Sequence, residues 1–103
     1  MRVLLLGDLI AAARALLCVP RSQRKPLIRL MLQQAEAAHE YQNKCSLPHP
    51  AWGNGSLMAC ANTMPQVVEP YASEMQYLQS LHLVIAEVIA WQRDAIRRRS
   101  PVA

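Results

Sequence analysis

The stretch that decides the fold is Met75-Gln76-Tyr77-Leu78-Gln79-Ser80-Leu81-His82-Leu83-Val84-Ile85-Ala86-Glu87-Val88-Ile89-Ala90-Trp91, which continues through Arg93 and Asp94 to Arg98. It contains neither Gly nor Pro, and its apolar residues return at helical spacing. On a helical wheel Met75, Tyr77, Leu78, Leu81, Val84, Ile85, Val88, Ile89 and Trp91 gather in one sector of roughly 200°, about twice the stripe that a single core contact needs. Gln76, Ser80, Glu87 and Asp94 fall on the back. Two arrangements account for such width. Either this helix sits in the middle of its own chain's helices, or it serves its own core and a second copy at once. The second assigns Tyr77, Leu81, Val84, Val88 and Trp91 to an oligomer interface. Leu78, Leu81, Ile85 and Val88 are then buried, and Tyr77, Val84 and Trp91 extend toward the neighbour.

Working outward, three more helical segments precede it. Asp8 can cap a helix to Cys18 with Leu9, Ile10, Ala13, Leu16 and Leu17 at helical spacing, and Val19-Pro20 ends it. A second runs from near Ser22 to about Lys44 with Pro26 in its first turn. Its stripe is Leu27, Leu30, Met31, Gln34, Ala38 and Tyr41. Residues 45–55 hold Pro48, Pro50, Gly53, Asn54 and Gly55 and read as loop. Ser56 then caps a short helix from Leu57 to about Asn62. No strand-period segment and no internal repeat is present. The fold class expected is all-α, a small helical bundle built on a long helical hairpin and assembled into a ring. Residues 1–96 form a single helical oligomerisation domain, and residues 97–103 a basic C-terminal tail.

Composition supports this outline. The chain has 103 residues, room for one domain, and 52% of them are hydrophobic. A chain this short buries only about 60 to 65% of its unfolded surface, so so many apolar residues favour assembly. There are only three Gly and no Phe. Three cysteines, Cys18, Cys45 and Cys60, form an odd set in unrelated contexts, which fits a reduced, cytoplasmic setting. Arg2 followed by Val3-Leu4-Leu5-Leu6 imitates the start of an export signal, but Asp8 and Arg14 break the apolar run. No stretch approaches the ~20 apolar residues of a membrane span.

Catalytic chemistry needs a constellation, and none is evident. His39, His49 and His82 with the three cysteines lack metal-ligand spacing; Cys45 with His49 is the nearest approach. Gly53-Asn54-Gly55-Ser56 could offer backbone N–H groups to an anion. It has neither the Lys of a phosphate-binding loop nor a preceding strand, and a turn with an N-cap explains the same residues. Glu36 and Glu40 are the one close acidic pair, on a face that reads as solvated. The chain is therefore expected to be no enzyme, with no metal and no cofactor.

What remains is basic. The formal charge is +4. No acid occurs between Asp8 and Glu36, while Arg14, Arg21, Arg24, Lys25 and Arg29 accumulate there. Cations near a helix start oppose its dipole, so local helix stability does not explain Arg24 and Lys25. Arg21, Arg24, Lys25 and Arg29 are the candidate DNA contacts. Arg93, Arg97, Arg98 and Arg99 are the candidate contacts to a protein partner. Ordinary solvated charge, and dipole complementation at the last helix's end, stand beside these readings. Trp52 in its Pro- and Gly-rich loop is either an anchor pinning the loop to the helices or a further docking residue.

The segment Pro48-His49-Pro50-Ala51-Trp52-Gly53-Asn54-Gly55-Ser56-Leu57-Met58, with the opening Leu6-Gly7-Asp8-Leu9-Ile10-Ala11-Ala12-Ala13-Arg14, resembles the small terminase subunit of bacterial gene transfer agents. Those are phage-like particles that package pieces of their host's DNA. The resemblance implies a non-catalytic packaging subunit that forms a ring and serves a large terminase subunit, the carrier of ATPase and nuclease. It also places contacts to the large subunit at the C-terminal end. Phage small terminases commonly add a helix-turn-helix module. Here the two long segments leave too little chain for one, so weak double-stranded DNA binding without sequence specificity is expected. The competing class is a small helical regulatory or assembly protein that docks on a larger partner without packaging DNA. An antitoxin-like or chaperone-like binder is a third.

Overall fold

A computed structural model describes residues 1–99, with side chains through Arg97. It contains four helices: α1 (Leu6–Leu16), α2 (Arg21–Cys45), α3 (Leu57–Ala61) and α4 (Met75–Arg99). The all-α class holds. Among the described residues the one strand-like feature is an isolated antiparallel bridge between His49 and Gly53. No helix among them is long and apolar enough to cross a membrane.

Helix α1 starts two residues before Asp8, with Leu5 as its N-cap. Leu5 has no side-chain acceptor, so Asp8 reaches back instead. Its Oδ2 accepts from the Leu5 backbone N–H at 2.8 Å, and its Oδ1 accepts from the Met58 N–H at 2.9 Å. One buried carboxylate thus satisfies free N–H groups at the starts of two helices, α1 and α3. Ser56 caps α3 as its sequence position predicts, its Oγ accepting from Ala59 N–H at 3.0 Å.

Helix α1 occupies the middle of the bundle and packs on α2, α3 and α4. Its buried side is largely alanine: Ala11, Ala12, Ala13 and Ala15, closed by Leu16. The core adds Ile28, Met31, Leu32 and Ala35 from α2, Leu57, Cys60 and Ala61 from α3, and Tyr77, Val84 and Val88 from α4.

The two long helices lie side by side without forming a hairpin. Arg21 meets Gln79 and Arg29 meets Glu87, so equal steps along α2 and α4 keep them in register and they run in the same direction. The hairpin expectation is corrected on this point. A hairpin needs a short connection, whereas residues 46–74, including α3, carry the chain back along the bundle first. Helix α1 runs opposite to both long helices. Ala13 meets Ser80, while Leu6, Leu9 and Ile10 lie beside Leu81 and Ile85 further along α4. The short link at residues 17–20 turns the chain back into α2, where Arg24 reaches Leu16.

Helix α4 is also rotated relative to the expected interface. Val84 is fully buried in its own chain, and Tyr77 and Val88 are buried beside it. Leu81 and Trp91 pack partly against the same core. These five therefore do not form an outer, copy-to-copy face. Leu78 and Ile85, expected inside, are nearly half exposed. The polar residues Ser80 and Glu87 explain the turn, because both are buried with partners. Ser80 Oγ donates to the Ala13 carbonyl at 2.8 Å, and Glu87 pairs with Arg29 at 3.3 Å. A hydrogen-bonded polar group can be buried at little cost, and a wheel counts it as surface.

Asp8→Ala should lower stability by about 2–4 kcal/mol, because two partly buried N–H groups lose a charged acceptor. For a chain of this size that corresponds to a melting point lower by roughly 10–20 °C, readable by circular dichroism. Asp8→Asn, with one carbonyl oxygen for two donors, should lose less. Val84→Arg should unfold the chain instead of merely separating copies.

A second expectation concerns alkaline pH. Burial pushes the Cys60 thiol from 9.0 up to about 11, and its S–H donates to Gln34 Oε1 at 3.3 Å. Tyr77 is also raised, by burial first and then by nearby Glu69. The unfolded chain therefore releases these protons at lower pH than the folded chain does. Stability is unaffected by Cys60 below pH 9.0 and falls as pH rises from there toward about 11. Urea midpoints measured across that window should decline, less steeply for Cys60→Ala. Folded protein should label at Cys18 and Cys45, which are exposed, and not at Cys60.

Candidate functional site

Three of the four proposed DNA contacts share one strip. Arg21, Lys25 and Arg29 are exposed on the N-terminal half of α2. Their four-residue spacing places them about 6 Å apart along the axis on one face. Arg21 Nη2 donates to Gln79 Oε1 at 2.8 Å, which holds its head between α2 and α4. The Arg29 side chain remains more than half exposed while Nε engages Glu87. The local sequence puts cations at these steps, and the α2–α4 register supplies the two contacts that orient them.

Arg24 is different, and the expectation for it is corrected. It is buried, and its Nε donates to the Leu16 carbonyl at 3.0 Å and the Val19 carbonyl at 3.2 Å. Those carbonyls close the end of α1, where free C=O groups and the negative dipole end welcome a cation. The charge that is unfavourable at the start of α2 is favourable at the end of α1. Its reason is tertiary and concerns the preceding helix, a contact that the dipole of α2 alone does not reveal.

The loop at residues 46–55 is built around His49. Its Nδ1 accepts from the backbone N–H groups of Ala51 at 3.0 Å and Trp52 at 3.1 Å. Its ring stacks on the Trp52 indole, centroids 4.5 Å apart and planes 5° from parallel, and meets the Tyr41 ring of α2 edge-on at 5.0 Å. Trp52 is partly buried and reaches α2 through His49, an anchor by relay. Gly53 and Gly55 both have positive φ, and a Cβ on Gly55 would sit 2.7 Å from His39 of α2. Asn54 Oδ1 accepts from Ser56 N–H at 3.1 Å. Gly53-Asn54-Gly55-Ser56 is thereby occupied in seating the loop and starting α3.

Arg93 and Arg97 are exposed toward the end of α4, which continues through Arg99. Helix therefore extends past residue 97, where the tail was placed. The side chains of Arg98 and Arg99, and residues 100–103, lie outside the described residues. Glu36, part of the acidic pair, meets the terminal ammonium of Met1 at 2.6 Å. Among the described residues no group of three or more His, Cys, Asp or Glu comes together to hold a metal ion.

Fold and surfaces together define a small four-helix all-α domain with a basic strip on one long helix and an apolar strip on the other. The chain belongs to a family described as a domain of unknown function (DUF7742), which matches residues 2–88 and so takes in α1, α2, α3 and half of α4. No curated protein and no solved structure matches it.

Arg24→Ala should destabilise the chain by about 1–3 kcal/mol, since two carbonyls lose a charged donor, and Lys25→Ala should leave the melting point within about 0.5 kcal/mol of wild type. Thermal melts of the two variants separate the structural cation from the surface one.

Proposed function

We propose that this protein is a non-catalytic DNA-packaging adaptor of the small-terminase kind. In this reading it forms a homo-oligomer, contacts duplex DNA weakly and without sequence preference, and recruits a large terminase subunit. The observation that carries the DNA part is the Arg21–Lys25–Arg29 strip, exposed along one helix in a stretch with no acid between Asp8 and Glu36. Phosphate contacts require charge and reach, carry no sequence information, and release counterions when they form. One strip of three cations is a feeble site, and repetition in an oligomer would multiply it. Arg93 and Arg97, with Arg98 and Arg99 beyond them, supply arginine forks for an acidic surface on the large subunit. Trp52, already holding its own loop, is the secondary docking candidate.

The alternative is a helical assembly or regulatory protein that docks on a larger partner without packaging DNA. The exposed apolar strip on α4 favours protein contact of some kind, and DNA binding discriminates the two. Replacing Arg21 and Lys25 together by Gln should weaken duplex binding strongly and leave the fold intact, because Arg29 stays as the partner of buried Glu87. For the wild type, affinity should fall steeply with salt, with a log–log slope of about −3 or less steep per copy, and be equal for unrelated sequences. Fluorescence anisotropy over a salt series checks this. Salt-independent or sequence-selective binding, or no binding at low salt, rejects the DNA reading. Deleting residues 97–103 should leave oligomer mass unchanged while removing co-purification with the large subunit. Undiminished co-purification places the docking surface elsewhere.

A further inference from the structure

The outer face of α4 carries a pattern that its own core does not use. Met75, Leu78, His82, Ile85, Ile89, Gln92 and Ile96 are all exposed, and they follow one another at intervals of three and four residues without a break. That is a heptad seam of three repeats, with Met75, His82, Ile89 and Ile96 in one set and Leu78, Ile85 and Gln92 in the other. Five of the seven are large and apolar, and none is charged. The buried side of α4, Tyr77, Val84 and Val88 with Ser80 and Glu87, is offset from this seam. Helix α4 thus has two seams, one for its own chain and one facing out. A seam needs a facing helix to supply holes for its knobs, and single exposed apolar residues would show no such spacing.

We infer that this face of α4 is an isologous interface in which the same face of a second copy packs antiparallel against it. The inference deepens the assembly part of the reading above and depends on neither DNA nor a large subunit. In an antiparallel pair, residues of one set face residues of the other. Centring the pair at position 87 puts Leu78 opposite Ile96, Ile85 opposite Ile89, and His82 opposite Gln92 of the second copy. Leu78, Ile85, Ile89 and Ile96 all meet apolar partners, Met75 lies beyond them at the end of the seam, and the two polar residues fall together, where they can hydrogen-bond. Neither side chain is hydrogen-bonded within the described residues. A register shift by one heptad would set Gln92 against Met75 or Ile89 and leave a polar group unpaired in the seam.

Charge selects the orientation. The last turns of α4 hold Arg93 and Arg97 and lead into Arg98 and Arg99, against Asp94 alone. A parallel pair would align these cationic ends and both helix dipoles side by side. The antiparallel pair sends the two basic ends in opposite directions and sets each against the uncharged first turns of its partner. The three repeats span about 32 Å of helix, a strip of roughly 350 Å² per copy at ordinary helix contact width. Leu6, Leu9 and Ile10 of α1 border the same face through Leu81 and Ile85 and extend it. The sum reaches the low end of specific interfaces, about 500 Å² per partner, so the pair is a weak dimer. An isologous pair closes on itself; a ring would require a different surface.

The test uses the full chain alone, with exposed Cys18 and Cys45 replaced by Ser. Ile85→Cys and Ile89→Cys chains are prepared separately, mixed and oxidised mildly. The antiparallel pair predicts that the 85–89 heterodisulfide dominates over either homodisulfide. Predominant 85–85 and 89–89 links indicate a parallel pair and overturn the proposal, as does failure to crosslink. Sedimentation of the wild type should show mass rising from monomer to dimer with concentration. A mass that stays at the monomer at the highest soluble concentration overturns it. Ile89→Arg should hold the chain at the monomer mass with a helical content and melting point near wild type, because Ile89 lies outside the core. An Ile89→Arg chain that still dimerises also overturns it. Loss of DNA binding would leave all these outcomes in place, so the two readings fail separately.

Discussion

Close approach to α1 is the constraint on which the rest of the molecule depends. Three helices must touch one short helix, and they can do so only because its buried side ends in methyl groups at Ala11, Ala12, Ala13 and Ala15. Small side chains bring backbones together, and then backbone carbonyls become available to neighbours. The Ala13 carbonyl takes the Ser80 hydroxyl of α4, and the Leu16 carbonyl takes Arg24 of α2. A larger residue at these positions would push the neighbours out of reach as well as overpack the core. The apolar and polar parts of the core are therefore one arrangement.

Four buried polar groups distribute the long elements around that centre. Asp8 joins α1 to α3, Arg24 joins α1 to α2, Ser80 joins α1 to α4, and Glu87 reaches Arg29 across the α2–α4 seam. Each is satisfied, so each orients its helix without leaving an orphaned group. Apolar packing alone would tolerate several rotations of α4 about its axis. The pair of contacts at Ser80 and Glu87 selects one. That rotation buries Tyr77, Val84 and Val88 and turns Leu78, Ile85 and Ile89 outward.

The consequence for function is a division of surfaces. Burying Arg24 leaves Arg21, Lys25 and Arg29 as the outward cations on the first half of α2, a strip that can meet phosphate or an acidic protein surface. Turning α4 leaves an uncharged heptad seam on another face, suited to a helix and poorly to nucleic acid. The His49–Trp52 stack on Tyr41 holds the connection that lets α2 and α4 run in the same direction. In the proposed reading, one long helix would meet DNA and the other a second copy, and the two faces would not compete. The domain of unknown function to which the chain belongs takes in the whole basic strip and the first half of the seam.

The sequence by itself determined the helices and their breaks. Pro20, the cluster from Pro48 to Gly55, and Met64-Pro65 end or separate them, and Ser56 starts α3, because these rules act within a few residues. It also made α4 amphipathic on more than one side, a matter of spacing alone. Only the tertiary structure decided which way α4 faces. A wheel reports periodicity, but Ser80 and Glu87 read as surface until their partners, Ala13 and Arg29, stand opposite them. The same holds for Arg24, whose acceptors belong to the helix before its own. Asp8 was legible as an N-terminal device of α1, and its second bond, to a residue 50 positions along, was not. The direction of α4 beside α2 was likewise invisible, since local rules assume short connections and this one crosses the bundle. Local chemistry cut the chain into helices, and partners distant in sequence chose the face each helix shows.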